Sequence, residues 1–345
     1  MPILALSIEH PGKPLNPVRN AMQESPITSD SQLIAASPNR DADRKFAITV
    51  PCYNSEATIA ETLQGIMDQG DALRRVLCVV IADDASPDRT VGVARDAWQV
   101  NGLPLTFQAR SRNLGEMVNV NTTVADLPKR AEWFLHMHGD NIPKPGWLLL
   151  ITNQCLAAAA NVGIVCASYD TFYDDGRAET GEERTGNAPV VIKGGLASVR
   201  DTIRRGCWWH NSCCAIRVST FREVGGFPPG MRQKGDWDFL LRVLNAGWDI
   251  EYLPRALMRY RLHEASASGF AFKTHLDIEE SLQVVQKYAR SLTWCDLIFV
   301  HRQYSHFLMR RFGASILRGD AQRSRKALRM LVRVAASWVS CVAVK

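Results

Sequence analysis

The sequence predicts an α/β domain built on a doubly wound, mostly parallel sheet, followed by a helical C-terminal extension. Short apolar runs alternate with segments of helical periodicity from residue 46 to about residue 157, in the order β-α-β-α-β-α-β-α. That alternation is typical of a parallel sheet with helices on both faces. From residue 274 onwards only helical spacing remains. The order of elements therefore predicts the architecture before any motif is considered.

The first four strands are predicted from apolar runs. They are "FAITV" (46–50), "VLCVVIA" (76–82), "LTFQA" (105–109) and "EWFLHM" (132–137). The second run is continuous rather than alternating, which indicates a strand covered on both faces.

A long uncharged stretch, "LLLITNQCLAAAANVGIVCA" (148–167), resembles a membrane span at first sight. Polar residues interrupt it, and Asn161-Val162-Gly163 has the composition of a turn. We therefore interpret the stretch as a helix, a turn and a buried strand.

The helices between the strands each have a predicted start. Ser55 is the expected N-cap of the first helix, and Ser86, followed by proline, is the expected N-cap of the second. Asn113 and Glu116 have the spacing of a capping box for the third helix. A fourth helix is expected from about Pro145.

The second half of the chain is less regular. The polar, glycine-rich segment 170–189 is predicted to be a long loop, and 207–218 is strand-like. A further helix is expected to begin near Asp236 and to stop at Gly247, with a short strand after it.

Composition sets further limits. Residues 1–44 are rich in Pro, Ser, Asn and Asp without periodicity, which predicts a disordered leader. The nine cysteines are scattered and include no CxxC pair, which argues against a zinc site and indicates reduced, buried thiols. No secretory signal begins the sequence, so we expect a cytoplasmic protein.

Polar residues follow each of the four predicted strands, where ligands bind in doubly wound sheets. These residues should meet in one cleft: Pro51, Cys52, Tyr53 and Asn54, then Asp83 and Asp84, then Arg110, Arg112 and Asn113, then His138 and Asp140. Neither GxGxxG nor GxxxxGK[ST] occurs, so a dinucleotide-binding fold or a P-loop is not supported.

Seven motifs in this order resemble inverting family 2 glycosyltransferases with the GT-A fold. They are "VPCYNSEATIAETLQGIMDQ", "IADDASPDRT", "RNLGEMVN", "HGDNIPKPGWL", "VGGFP", "GDWDFLLRVLNAGW" and "YRLHEASAS". The resemblance implies a catalytic domain over 45–268, with a nucleotide-sugar-binding half (45–170) and an acceptor half (171–268). It leaves 269–345 as a basic helical extension. It also implies transfer of a sugar from a nucleotide diphospho-sugar to an acceptor hydroxyl, in cell-surface polysaccharide or glycolipid synthesis.

The resemblance further implies a divalent cation, Mn²⁺ or Mg²⁺, that neutralises charge on the leaving diphosphate. Asp140 stands at the last position of the family's D-x-D pattern, and His138 replaces the first aspartate. Imidazole suits Mn²⁺ better than Mg²⁺. His138 is either a cation ligand or a residue that only lines the site. His263 is the third candidate ligand, with a surface histidine as the alternative, and Arg261 near it is a candidate phosphate contact.

By the same resemblance, Asp84 is expected to contact the nucleoside, with Asp83 as its weaker partner. The alternative for both is a turn that starts a helix. Tyr53 is expected to stack on the base, and Pro51 to contribute only backbone atoms. Arg112 is expected to face phosphate or base.

Inversion by direct displacement requires a base that deprotonates the acceptor hydroxyl, and Asp236 is the candidate. The helix dipole would lower the pKa of Asp236, whereas burial would raise it. The alternative role for Asp236 is a helix N-cap. The indole rings Trp208, Trp209 and Trp237 are candidates for an acceptor platform, or else part of the core.

The formal net charge of +6 is concentrated at the C-terminal end, where residues 301–345 contain ten Lys or Arg and one acid. "ALRMLVRVAASWVSCVAVK", with Arg329 and Arg333 on one side, resembles an amphipathic helix attracted to anionic lipid. The tail is therefore either a peripheral contact with the inner face of the cytoplasmic membrane or a helix packed on the catalytic domain. No nucleic-acid-binding module accompanies the charge, so we expect no nucleic-acid partner.

Two functions remain open. The first is an active glycosyltransferase with a saccharide or lipid-linked acceptor. The second is a non-catalytic nucleotide-sugar-binding or scaffold protein, in which "HGD" is a degenerate cation site. A nucleotidyltransferase is less favoured, because "PCYNSEAT" lacks a glycine-rich basic loop.

Overall fold

A computed structural model describes residues 44–100, 103–173, 175–181, 188–262, 271 and 274–345. The described residues form a mixed α/β fold around a ten-stranded sheet in which most of the central pairs are parallel. The strand order is β3-β2-β1-β4-β9-β6-β10-β5, with β7 beside β6 and β8 beside β10. The predicted fold class is confirmed.

The first four strands are β1 (Phe46–Cys52), β2 (Val76–Asp83), β3 (Leu105–Ala109) and β4 (Trp133–His136). They pair in parallel, as predicted from the alternation of strands and helices. The β2 strand is buried along its whole length, as its continuous apolar run indicated.

The remaining strands complete the sheet: β5 (Ile142–Pro143), β6 (Val162–Tyr173), β7 (Ala178–Glu179), β8 (Val190–Ile192), β9 (Cys214–Arg217) and β10 (Asp249–Leu262). Antiparallel β9 lies between β4 and β6 and joins the two parallel parts. The expected short strand after Gly247 is in fact the 14-residue β10, which runs parallel to β6. Part of the segment predicted to be a loop over 170–189 belongs instead to the end of β6 and to β7.

The helices are α1 (Ile59–Met67), α2 (Thr90–Ala97), α3 (Glu116–Ala125), α4 (Trp147–Ala157), α5 (Leu196–Arg205), α6 (Val218–Glu223), α7 (Gly235–Asn245), α8 (Leu276–Tyr288), α9 (Trp294–Leu317) and α10 (Ala321–Ala343). Helix α4 followed by β6 confirms that 148–167 is a helix, a turn and a strand. Gly247, with φ +90°, follows α7 as expected.

The predicted starts of the first three helices were wrong, whereas the helices expected from about Pro145 and near Asp236 begin at Trp147 and Gly235. Helices α1, α2 and α3 begin three to four residues later than their expected caps, after Thr58, Arg89 and Gly115, and none of these has a side-chain cap bond. The polar side chains near these starts instead bond across the fold. The Glu116 carboxylate, for example, faces β4 rather than its own helix end.

The C-terminal helices pack against the same core as the sheet. Val284 and Val285 of α8, together with Leu297 and Val300 of α9, belong to the apolar cluster that also contains Phe239 of α7. Helices α9 and α10 lie side by side and contact each other along their length. The predicted leader lies outside the described residues except for Arg44. Among the helices of the described residues, none is both long and apolar enough to cross a membrane.

Candidate active site at the carboxyl ends of the strands

The residues that follow the parallel strands meet at one edge of the sheet. The Asp84 N–H donates to the Cys52 carbonyl at 3.0 Å, which joins the ends of β2 and β1. The Gly139 N–H donates to the Pro51 carbonyl at 3.1 Å, which joins the segment after β4 to β1. The Arg110 N–H reaches the Asp83 carbonyl at 2.9 Å. The four predicted polar sets therefore lie together at one edge of the sheet, and the space that they enclose is hereafter called the cleft.

Gly139 allows this close approach. A Cβ at residue 139 would lie 2.9 Å from the Cys52 Cβ, and would also crowd Ile59 and Ser55. The Gly139 carbonyl accepts a hydrogen bond from the Thr58 hydroxyl at 2.8 Å, just before α1. The glycine of "HGD" thus allows the turn that carries Asp140 to pack directly against the end of β1.

The two aspartates after β2 are both buried and bonded to backbone N–H groups. Asp84 accepts from the N–H groups of Leu114 and Gly115, each at 2.8 Å, and so holds the turn before α3. Asp83 accepts from the Ser86 N–H at 3.0 Å. Both carboxylates therefore shape the loops that border the cleft.

Two side chains that are predicted to contact the nucleotide sugar are exposed at the same edge. The Tyr53 side chain is 48% exposed directly after β1, where its ring face is open to a ligand. Arg112 is exposed in the turn between β3 and α3. Arg110, by contrast, donates to Asn119 at 2.9 Å and Thr123 at 3.0 Å, so its guanidinium ties β3 to α3.

The turn carrying Asp140 is held by Arg261 at the end of β10. The Arg261 guanidinium donates to the Asp140 carbonyl at 3.2 Å, and the backbone N–H of Arg261 donates to the Asn141 side-chain oxygen at 3.1 Å. Its other end forms an ion pair with Glu61 on α1. The guanidinium expected to contact phosphate is thus engaged in positioning the "GDN" turn. His263 lies outside the described residues.

His138 forms an ion pair with Glu116. The His138 Nε2 lies 2.9 Å from a Glu116 carboxylate oxygen. Burial alone disfavours both charges, but the attraction between them outweighs it, so the pKa of His138 rises to about 9 and that of Glu116 falls to about 2. The negative charges of Asp140 and Asp236 add to the rise for His138. These two carboxylates therefore lie close to one imidazole.

Asp236 lies in the first turn of α7. Its carboxylate accepts from the Trp237 N–H at 2.7 Å and contacts the Cys207 thiol, with a sulfur–oxygen distance of 3.8 Å. Burial raises the pKa of Asp236 from its ordinary value of 3.8 to about 6, although Lys234 and the Trp237 N–H oppose the rise. Of the two opposing influences expected from the sequence, burial prevails. A carboxylate of this pKa is suited to accept a proton near neutral pH.

Gly235 places the start of α7 against α3. A Cβ at residue 235 would lie 2.8 Å from the Met117 sulfur. Glycine at this position therefore leaves room for the Met117 side chain where α7 approaches α3.

The expected indole platform is only partly present. Trp209 is 4% exposed and stacks on Phe239, with ring centroids 6.3 Å apart, and Trp237 is 1% exposed within the same core. Burial contradicts a sugar-binding role for these two rings, because neither has a face open to a ligand. Trp208 is half-buried, with its indole N–H donating to Thr202 at 3.2 Å.

Two further histidines near His138 were missed by sequence reasoning. His136 and His210 both contact the His138 ring, with centroid separations of 4.9 and 5.6 Å. Burial, followed by the nearby charge of His138, lowers the pKa of each to about 3. The period of two along β4, which places residues 136 and 138 on one side, was a signal for the first. No local sequence pattern predicted that His210 would lie beside His138.

Helix α8 also takes part in the site, which the sequence did not indicate. The buried Glu280 carboxylate accepts from three consecutive N–H groups, those of Arg232, Gln233 and Lys234, at 2.8, 2.7 and 2.8 Å. This loop leads directly into α7. The C-terminal extension therefore anchors the segment that presents Asp236.

Comparison with known families agrees with this geometry. The family described as glycosyl transferase family 2 matches residues 47–223, just over half of the chain. The chain belongs to glycosyl transferase family 2. The resemblance seen in its motifs is thereby confirmed, and the matched range covers the ends of β1, β2, β3 and β4 but neither Asp236 nor Arg261.

Solved structures of two family-like enzymes share the fold. "S. aureus TarS 1-349" has a TM-score of 0.52 at 17% identity, covering 82% of this chain and 90% of that one. The mannosyltransferase PcManGT from Pyrobaculum calidifontis, solved with GDP-Man and Mn²⁺, has a TM-score of 0.54 at 15% identity, covering 89% and 88%. TarS was also solved with UDP-GlcNAc. No curated protein matches the chain by sequence. At such identities the likeness establishes the glycosyltransferase fold alone.

Proposed function

We propose that this family 2 protein is an inverting glycosyltransferase that moves a sugar from a nucleotide diphospho-sugar to an acceptor hydroxyl. One observation carries the proposal: the charges of Asp140 and Asp236 both act on the His138 imidazole. The carboxylate expected near the diphosphate and the carboxylate expected to act as base are therefore both near enough to influence the same imidazole. A scaffold protein has no need to keep both carboxylates there.

Asp236 is the proposed base. In this mechanism its carboxylate accepts the proton of the acceptor hydroxyl as the oxygen attacks the anomeric carbon. The pKa of about 6 keeps Asp236 mostly ionised at neutral pH, yet basic enough to accept the proton. Its hydrogen bond from the Trp237 N–H fixes the orientation of the carboxylate before substrate arrives.

The residues near Asp140 fit a divalent cation. A carboxylate with an imidazole beside it is a donor set that suits Mn²⁺ better than Mg²⁺. Asp140 and His138 would hold the ion, with His263 as a further proposed ligand. When bound, the ion would neutralise charge that develops on the leaving diphosphate. Arg261 holds the Asp140 turn in place for this role.

The donor is proposed to lie across the ends of β1 and β2. Exposed Tyr53 offers a ring face to the base, and Arg112 offers positive charge. The loops held by Asp83 and Asp84 would border the nucleoside, and Pro51 would contribute backbone. Neighbouring structures contain UDP-GlcNAc or GDP-Man, which supports a nucleotide-sugar donor as the class. Trp208 is the remaining indole proposed to contact the acceptor.

We propose an anionic membrane surface as the partner of the α9–α10 pair, and a saccharide or lipid-linked acceptor in surface polysaccharide or glycolipid synthesis. Several apolar side chains on these helices are more than half exposed: Ile298, Met309, Ile316, Leu317, Leu328, Val332 and Val339. On α10, residues 328, 332 and 339 share one face. The surplus of basic residues in 301–345 favours anionic lipid.

The catalytic proposal is tested with a panel of nucleotide sugars, with Mn²⁺ or Mg²⁺, measuring donor binding and then donor hydrolysis or transfer. We expect one donor to bind and react. Asp236→Asn should bind the donor but lose turnover, and Asp140→Ala should lose cation-dependent turnover. Wild-type activity in both variants would refute the site assignment, and absence of any donor binding would favour the scaffold function.

The membrane proposal is tested by co-sedimentation of the full chain with vesicles of phosphatidylglycerol or of phosphatidylcholine. We expect binding to the anionic vesicles only. The double variant Val332→Asp/Val339→Asp should abolish it, whereas Ser340→Asp, on the same helix but off the apolar face, should retain most of it. Equal binding by the double variant and the wild type would refute the proposal.

A further inference from the structure

Three side chains in the cleft have nitrogen or oxygen atoms that lie close together and could bind a metal ion. Glu116 begins α3, His136 ends β4, and His138 lies two residues further along on the same side of the chain. One nitrogen or oxygen atom from each lies within 4.8 Å of the others. Only His138 among them has a part in the proposed transfer reaction, so Glu116 and His136 need a separate explanation.

His136 is the strongest indication of a ligand. Its side chain is fully buried, yet its Nε2 atom has no hydrogen-bond partner among the residues that the structure describes. A buried polar atom without a partner is costly, and such an atom in a native site often marks a missing ion or water.

Thr49 determines which nitrogen of His136 is available. The Thr49 hydroxyl donates to the Leu135 carbonyl at 3.4 Å, so its oxygen is free to accept from the His136 Nδ1–H at 3.3 Å. That tautomer leaves the lone pair on Nε2, the buried atom that has no hydrogen-bond partner. A histidine that binds a metal is commonly held in this way, with its other ring nitrogen donating to a neighbouring oxygen.

The other two side chains complete a compact donor set. The His138 Nε2 is 2.9 Å from a Glu116 carboxylate oxygen, and Asn211 donates to the same oxygen at 3.4 Å. Ligand atoms around a tetrahedral ion with bonds of about 2.0–2.1 Å lie roughly 3.3 Å apart. The three donor atoms lie within 4.8 Å of one another, so binding would draw His136 towards the other two. Binding would also displace the proton of His138 that faces Glu116.

We propose that Glu116, His136 and His138 form a divalent-cation site with two imidazole ligands and one carboxylate. Nitrogen-rich sites favour zinc, cobalt and manganese over magnesium, which prefers oxygen ligands. The site goes beyond the proposed function, because it requires neither Asp140 nor a nucleotide sugar. With His138 bound to this cation, Asp140 and His263 would remain as the ligands of the cation that accompanies the donor. Its cation would be held by the protein alone, at the wall of the cleft where α3 meets β4.

The test is a titration of the metal-free full chain with Co²⁺, followed by visible absorption, with Zn²⁺ and Mg²⁺ as competitors. We expect one Co²⁺ per chain, displaced by Zn²⁺ but not by excess Mg²⁺. His136→Gln and Glu116→Gln should each weaken Co²⁺ binding by more than tenfold. Thr49→Val, which removes the hydroxyl behind His136, should weaken it by about tenfold.

Glu132→Gln is the matched control, since it removes a partly exposed carboxylate just before β4 that pairs with Lys45, and it should leave Co²⁺ binding intact. Thermal unfolding in chelator would show that each variant is folded, and partly exposed Glu116 allows a test even if His136→Gln does not fold. Absence of stoichiometric Co²⁺ binding would overturn the proposal. So would Co²⁺ binding in Glu116→Gln equal to that in Glu132→Gln. Because the readout needs no donor, its result is independent of whether the protein transfers a sugar.

Discussion

Replacing Glu280 by alanine should damage both stability and catalysis, although Glu280 lies in the C-terminal extension. Its buried carboxylate accepts the N–H groups of residues 232, 233 and 234 at 2.8, 2.7 and 2.8 Å. The next residues begin α7 and carry Asp236. Glu280→Ala would therefore release the loop that positions the proposed base.

The magnitude follows from the three hydrogen bonds. A hydrogen bond to a charged group contributes about 1.5–3 kcal/mol. The three donors share one carboxylate, and the loop is partly exposed, so water would replace some of the loss. We therefore expect Glu280→Ala to lower the free energy of unfolding by about 3 kcal/mol, roughly the value of one to two such bonds. If the Asp236 carboxylate moves by about 1 Å, turnover should fall by about 100-fold.

Chemical denaturation and steady-state kinetics with the identified donor would measure these effects. Glu280→Gln should recover part of the stability, because the amide oxygen still accepts a hydrogen bond. Glu279→Gln is the matched control: it removes the same charge one residue earlier, where the side chain pairs with Arg333 on α10. It should cost less than about 1 kcal/mol, as expected for a surface pair. Equal effects of Glu280→Ala and Glu279→Gln on turnover would refute the positioning role.

The other predictions concern α7 and the turn after β4. Since the pKa of Asp236 is raised to about 6, kcat/KM should be constant above that pH and should fall tenfold per pH unit below it. Asp236→Asn should lower turnover by at least about 100-fold. A flat pH–rate profile would exclude Asp236 as the base. Fully buried Asp238 pairs with Lys287 of α8 at 2.6 Å, so Asp238→Asn should destabilise the fold by about 3 kcal/mol in urea unfolding, and an unchanged midpoint would contradict this. Gly139→Ala places a Cβ 2.9 Å from that of Cys52 and should lower the free energy of unfolding by about 1–3 kcal/mol. Calorimetry would detect this loss as a lower Tm, and a Tm equal to that of the wild type would contradict the prediction.

Local patterns were sufficient for the first four strands. Each of the first four apolar runs is a strand. Of these, β1, β2 and β4 are buried along their whole length, as burial on both faces of a parallel sheet demands. The position of Asp140 followed from the same rule, since ligands gather where parallel strands end. The first three helix starts failed for two reasons. The side chains of Ser86 and Glu116 have partners across the fold, and Ser55 accepts from the start of α1 with its backbone carbonyl rather than as a side-chain cap.

Tertiary structure alone decided the charge states and contacts within the cleft. The opposing influences on the Asp236 pKa were balanced in the sequence, and only packing around α7 showed that burial prevails. The three N–H groups held by Glu280 lie 46 to 48 residues from it along the chain, too far for any local pattern to connect them.

The chain's sequence by itself determined the family, the parallel sheet and the edge at which the site forms, because these depend on hydrophobic periodicity and on motifs in fixed order. Tertiary structure decided which side chains share that site. It brought Glu116 of α3 to the two histidines around the end of β4, and it buried Trp209 and Trp237 in the core. Such outcomes depend on distances between elements remote in sequence, and those distances are set by how the helices pack on the sheet.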